Sequence, residues 1–190
     1  MAGILSGDKA TVEEALKKLL DQDDDCSVEL CRDLLTTLDT HRELQANVVE
    51  VLAAFSREDS FRDLALSCGV VPRLCLLLSS EERNTQLQTL RAVGNLCFDH
   101  DGNRGLVLSS GGCPLLIEQL KSSSRLPVAR EFDRLKCVTC GCLLNTVNDN
   151  DKLCKEMLGL GAAEHLSALL ARPGEDESTI TMGLKLSTFY

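Results

Sequence analysis

Asn95 and Asn145 stand 50 residues apart in matching surroundings. Each lies near the end of an apolar helical stretch. The acidic loop Asp99-His100-Asp101-Gly102-Asn103 follows the first, and Asn148-Asp149-Asn150-Asp151 follows the second. A carboxamide offers both a donor and an acceptor, so an Asn on a groove-lining helix can hold the backbone of an extended peptide. The same group can instead tie a neighbouring loop and cap the turn after its helix. Asp99, Asp101, Asp149 and Asp151 would gather on one rim if consecutive copies stack. Carboxylates so placed attract Lys/Arg-rich tails and weaken with salt. Asp101 and Asp151 also stand where helix N-caps are expected. Asp23, Asp24 and Asp25 form a second acidic cluster, in a turn.

Other reactive groups lack the company that chemistry needs. Cys137, Cys140, Cys142 and Cys154 suggest zinc, but no second C-x-x-C or His pair stands at a defined spacing. On a helix, position 142 also turns away from 137 and 140. Cys97 and His100 suggest a thiolate–imidazole pair, yet no third group orients the His and no oxyanion donors are identifiable. The expectation is a binding protein and not an enzyme, with no metal and no cofactor.

These residues must be held by repeated elements. Gly69, Gly111 and Gly161 each open a short apolar helix (GVVPRLCLLL, GGCPLLIEQL, GAAEHLSALL), at steps of 42 and 50 residues. The eight extra residues are accounted for by SSSRLPVARE, an insertion at 122–131. A period of roughly 40 to 47 residues is that of armadillo and HEAT arrays. With 44% hydrophobic but only 3% aromatic residues and no Trp, Leu, Val and Ala make the core, which suits stacked helices. The formal net charge of −9 argues against nucleic acid and favours a basic partner. None of the sequence is apolar over a length that spans a bilayer, and no signal peptide is evident, so direct membrane insertion is not expected and the ten Cys read as reduced, packed thiols.

The spacing predicts one solenoid over 1–190, disordered at 1–10, with N-terminal helices over 11–56, a repeat over 60–98, a second over 102–147 and an incomplete one over 151–190. Capping boxes are expected at Thr11 to Glu14 and Thr40 to Glu43. Pro72 is expected at a first helical position, and Leu74 to Leu78 are expected to be buried. The apolar stripes include Leu19, Leu20 and Val28. Leu87, Leu90, Val93, Leu143 and Val147 read as core, with small neighbours Ala92, Gly94 and Gly141 leaving room for an apolar gap. By the repeat spacing a third Asn belongs at 187, which holds Ser187, and Leu184, Leu186, Phe189 and Tyr190 leave that end apolar. A truncated or alternatively spliced form of a longer array is therefore expected.

LQTLRAVGNLCFDHDGNRG, SSGGCPLLIEQL and CGCLLNTVNDNDKL together resemble the N-terminal armadillo repeats of the smg-GDS proteins, the small-GTPase guanine-nucleotide dissociation stimulators. The likeness runs from about Leu66 to Leu170, and more loosely over Thr11 to Phe55. It implies an all-α, armadillo-repeat, right-handed superhelical solenoid of about three and a half repeats. It implies partners among small GTPases of Rho and Rap type with basic C-terminal tails, and their prenyl group. Nucleotide release would follow from binding the nucleotide-poor GTPase better than the loaded one, beside a chaperone-like role. The resemblance implies a cytosolic location, with association to endoplasmic reticulum or mitochondria. Family members carry many more repeats, so tail binding is expected here more than exchange. The alternatives are a generic armadillo adaptor for basic peptides and a truncated form without exchange activity.

Overall fold

A computed structural model describes residues 5, 7–21 and 26–190. The cluster Asp23 to Asp25 lies outside the described residues. Twelve α-helices, and no strand, occur among those described. The chain divides into two compact units, residues 1–96 and 97–190.

The first unit holds α1 (Lys9–Asp21), α2 (Val28–Thr40), α3 (Gln45–Phe55), α4 (Asp59–Cys68), α5 (Val70–Leu77) and most of α6 (Arg83–Cys97). Helix α3 packs against α1 and α2, α2 against α4, and α4 against α5. Leu34, Val48, Val51, Leu52 and Leu74 are wholly buried between them. Each such side chain contributes roughly 1.5–3 kcal/mol on removal from water.

Several expected starts move. Helix α1 begins at Lys9, because Asp8 Oδ1 accepts both the Thr11 amide (3.0 Å) and the Thr11 hydroxyl (2.8 Å). Thr11 is thus inside the helix and does not cap it. Thr40 ends α2 with its hydroxyl donated back to Thr36 O, and a 3-10 turn, Arg42–Leu44, leads into α3. Pro72 is the third residue of α5, still within the turn whose amides have no intrahelical acceptor. Leu76 is 67% exposed and breaks the expected buried run, and Leu20 and Val28 also face solvent.

The second unit holds α7 (Asp101–Ser109), α8 (Gly112–Arg125), α9 (Arg130–Val147), α10 (Asp151–Gly159), α11 (Ala162–Leu170) and α12 (Glu177–Ser187). Helix α9 packs along α12 and α8, and α8 also meets α7, α10 and α11. The insertion lengthens α8 by a turn beyond Lys121 before the chain turns into α9. At the far end, Leu184 is exposed, whereas Leu186 is buried and the Tyr190 hydroxyl reaches Met157 Sδ at 3.6 Å. That end is less bare than its composition suggests.

One turn recurs. Gly69, Gly111 and Gly161 take φ of 72°, 70° and 89°, the left-handed conformation that lets one short helix stop and the next begin at once.

Candidate protein-binding surface

Asn95 sits in the last turn of α6, half-buried, and its Nδ2 donates to Ala53 O at 3.0 Å. Ala53 lies in the last turn of α3, where carbonyls have no intrahelical donor. The donor of this amide is therefore used inside the protein, tying α6 to α3, rather than offered to a peptide. Asn145 occupies the matching place in α9, half-buried, and lines an open cleft.

The backbone at both asparagines is held by a buried arginine. Arg62 Nε donates to Asn95 O at 3.1 Å, and Arg104 Nε donates to Asn145 O at the same distance. Arg62 also pairs with Asp59, and Arg104 with Asp101 at 2.9 Å. Only 8% of Arg62 and 3% of Arg104 is exposed, so each guanidinium works inside the fold. The signal was in the sequence: D-x-x-R occurs at 59–62 and at 101–104, one 42-residue step apart, at the start of the first short helix of each repeat. In the next round the pattern reads Asp151-Lys152-Leu153-Cys154. Cys154 Sγ takes the arginine's part and donates to Phe189 O at 2.8 Å.

The four acidic candidates occupy two loops. Asp99 and Asp149 are exposed and take φ of 49° and 51°, a left-handed conformation that Asp tolerates better than most residues. Asp149 Oδ2 accepts from Asn148 Nδ2 at 3.0 Å. Asp101 and Asp151 are exposed first residues of α7 and α10, but neither is the cap. His100 Nδ1 accepts from the Asn103 amide at 3.1 Å, and Asn150 Oδ1 accepts from the Leu153 amide at 3.0 Å. A carboxylate one residue into a helix still favours the positive end of the helix dipole.

The two loops meet at one cleft of about 190 Å³, lined by Phe98, Arg104, Leu144, Asn145 and Asn148. Phe98 immediately precedes Asp99, and Asn148 immediately precedes Asp149. Phe98 is 52% exposed. The cleft's lining holds the Arg104 side chain and no carboxylate; the exposed Phe98 and the amides of Asn145 and Asn148 suit a lysine or arginine side chain by cation–π attraction and hydrogen bonding, with the exposed Asp99 and Asp149 one residue further along the two loops.

The sulfur groups make no comparable site. His100 spends its Nδ1 on α7, and Cys97 is wholly buried. Burial pushes the Cys140 thiol up to about 12, and burial with Asp176 nearby raises Cys137. Burial and Asp151 raise Cys154. Thiols so held stay protonated, whereas metals take the thiolate. Among the described residues no three His, Cys, Asp or Glu side chains are grouped to hold a metal ion. Among the described residues no helix is long and apolar enough to cross a membrane.

The sequence profile of the Armadillo/beta-catenin-like repeat matches residues 58–98, which run through α4, α5 and α6. Crystallised computationally designed armadillo repeat proteins for modular peptide recognition superpose with a TM-score of 0.80, at 13% identity, over 99% of this chain and 79% of theirs. The chain has an armadillo-repeat fold. A designed armadillo repeat protein in complex with the peptide (KR)4 superposes with a TM-score of 0.61, at 12% identity, over 98% of this chain and 96% of that one. Among natural proteins, this armadillo chain is similar to Rap1 GTPase-GDP dissociation stimulator 1-A of Xenopus laevis. The two are 28% identical over 147 residues, 77% of this chain and 24% of the relative. The chain thus spans about a quarter of the length of the curated relatives it matches first. It is an armadillo protein resembling the smg-GDS proteins.

Proposed function

We propose that this chain is a non-enzymatic regulator of small GTPases that recognises a basic C-terminal tail in the cleft beside Phe98. The observation that carries the reading is that cleft: an exposed aromatic ring, Asn145 and Asn148, and the loops bearing Asp99, Asp101, Asp149 and Asp151. Similarity to the Rap1 GTPase-GDP dissociation stimulators supports a small-GTPase partner; that the partner is of Rho or Rap type and is met in the cytosol, in part beside endoplasmic reticulum or mitochondrial membranes, is part of the proposal. The designed armadillo protein with its (KR)4 peptide shows that a fold of this kind accommodates alternating Lys and Arg, which also favours a general adaptor for basic peptides. Acceleration of nucleotide release, or chaperoning, would need a surface that prefers one state of the GTPase.

The tail's prenyl group would need an apolar gap between helices, and the small residues are where one is looked for. A Cβ built on Gly141 would meet Met182 at 3.8 Å, ordinary contact, so the small residue on α9 faces a filled position.

The test is a fluorescence titration of the full chain against a GDP-loaded Rap- or Rho-type GTPase, prenylated and not, with release of fluorescent GDP followed in parallel. Binding should vanish when the tail lysines are replaced, and Phe98→Ala should weaken it about tenfold, or about 1.4 kcal/mol. Equal affinity for a free Lys/Arg peptide would favour the adaptor. No binding to any of these would sink both readings.

A further inference from the structure

Leu76 of α5 faces solvent and is the most exposed large apolar side chain among the described residues. A lone exposed leucine is ordinary. The repeats show that the fold does not require one here: counted from the turn glycines, the same position holds Glu118 in α8 and Ala168 in α11, both exposed. Leu76 borders a cleft of about 250 Å³ where α2, α5 and the 3-10 turn Arg42–Leu44 come together. Leu38, buried, and Leu77, half-buried, give it an apolar floor. Two arginines also line it. Asp39 takes both arms of Arg73, Nη2 to Oδ2 at 2.8 Å and Nη1 to Oδ1 at 3.1 Å, so that guanidinium is held and its charge is met. Arg42 is exposed, and its guanidinium has no partner among the described residues. Glu43, next along the chain, lies outside the lining and sits 3.5 Å from His41 Nδ1.

We propose that this cleft is a second docking site, which takes a segment of a partner protein carrying a carboxylate beside a bulky apolar side chain. Arg42 receives the carboxylate, and the apolar group lies on Leu76, Leu77 and Leu38. Arg73, fixed by Asp39, forms a rigid wall that needs no ordering when the partner arrives.

Charge and size select that occupant. Within the cleft two guanidinium groups face one carboxylate, so the local balance is positive in a chain whose formal net charge is −9. The charge left over sits on an arginine, whose planar fork matches a carboxylate in two parallel hydrogen bonds. A Lys/Arg-rich tail would be repelled by Arg42, so this surface is distinct from the cleft beside Phe98 and does not rest on it. Nucleic acid also offers anions, but the acidic chain as a whole repels a polyphosphate. The volume is below the roughly 300–1,000 Å³ that houses a whole small-molecule ligand, and it suits one or two side chains of a larger partner. An apolar patch rimmed by arginine is the make-up of a protein interface.

The test is an NMR titration of the full, isotope-labelled chain with the capped peptide Ser-Asp-Leu-Phe-Asp-Ser, taken to millimolar concentration. Two further peptides replace both Asp by Lys, or Leu and Phe by Ser. The expected result is amide shifts confined to residues 38–45 and 73–77 with the first peptide and none with the other two. Arg42→Glu should weaken binding at least about tenfold, since it replaces attraction by repulsion at one contact. Leu76→Ser should weaken it by a smaller factor, and Leu20→Ser, at another exposed leucine of the same unit, should leave it unchanged. All three side chains are exposed or nearly so, and a thermal melt like the parent's shows that each variant is folded. No shift at these residues, equal binding of the Lys peptide, or an Arg42→Glu variant that binds like the parent would overturn the proposal. Sedimentation runs beside it: self-association that Arg42→Glu abolishes would make a second copy of this chain the occupant and overturn the assignment to a partner.

Discussion

Asn95 and Asn145 are held in place by buried arginines. Asn95 turns its amide donor inward to Ala53 O, and Arg62 and Arg104 clamp the carbonyls of Asn95 and Asn145. What an isolated Asn does depends on which carbonyl lies within 3 Å, and that neighbour is 42 residues away in sequence. The repeat was legible because glycines and apolar runs recur locally, and D-x-x-R recurs with them; which carbonyl each arginine clamps was not, because that carbonyl belongs to a different helix. We expect Arg104→Ala to destabilise the protein by about 2–3 kcal/mol, since a buried carbonyl loses its donor and the aliphatic stem leaves a gap. Asp101→Ala should cost no more than about 1 kcal/mol, because its carboxylate is largely in water and water can replace it. Urea unfolding midpoints decide the matter. The reverse order would mean that the buried guanidinium depends on its counter-charge more than the carbonyl depends on the guanidinium.

At the scale of elements, helix interiors followed the apolar period closely and helix ends did not. Ends depend on which side chain reaches which amide, so Asp8 displaced the expected box at Thr11, and His100 and Asn150 capped where Asp101 and Asp151 were expected. The repeat order implied that α12 follows α9 in the stack, but the ion pair that docks them had no sequence signal. Lys136 and Glu175 are both fully buried and meet at 2.6 Å, just before the Asp176 cap of α12. A lysine within the amphipathic α9 reads as a surface residue until a partner 39 positions on is seen. Glu175 Oε2 makes no hydrogen bond and stands 4.0 Å from Arg172 Nε, so the arrangement is only partly satisfied. Lys136→Met alone should therefore cost about 3–5 kcal/mol by stranding a buried carboxylate, whereas Lys136→Met with Glu175→Leu should recover most or all of it. Thermal melts of the two variants check this. A single variant as stable as the parent would show that Glu175 escapes to water.

On the scale of the whole molecule, 29 acidic against 20 basic residues give a field that draws cations from a distance before any contact is made. Such a field is read in rates and in salt. The Debye length falls from about 10 Å at 0.1 M to about 3 Å at 1 M, so long-range attraction is nearly gone at the higher value while contacts inside the cleft survive. For a Lys/Arg-rich tail peptide we expect the association rate to fall steeply over that range and the dissociation rate to change far less. The two kinds of group at the cleft then separate. Asp99→Asn with Asp149→Asn should flatten the salt dependence, because both carboxylates are exposed and act through the field. Phe98→Ala should speed dissociation and leave the salt slope as it was, because a ring acts only on what already touches it. Stopped-flow binding at several salt concentrations measures both quantities on the same samples. If neutralising the two carboxylates left the slope intact, the attraction would belong to the diffuse surface charge, and the loops beside Phe98 would lose their claim to be the place where a basic tail is read.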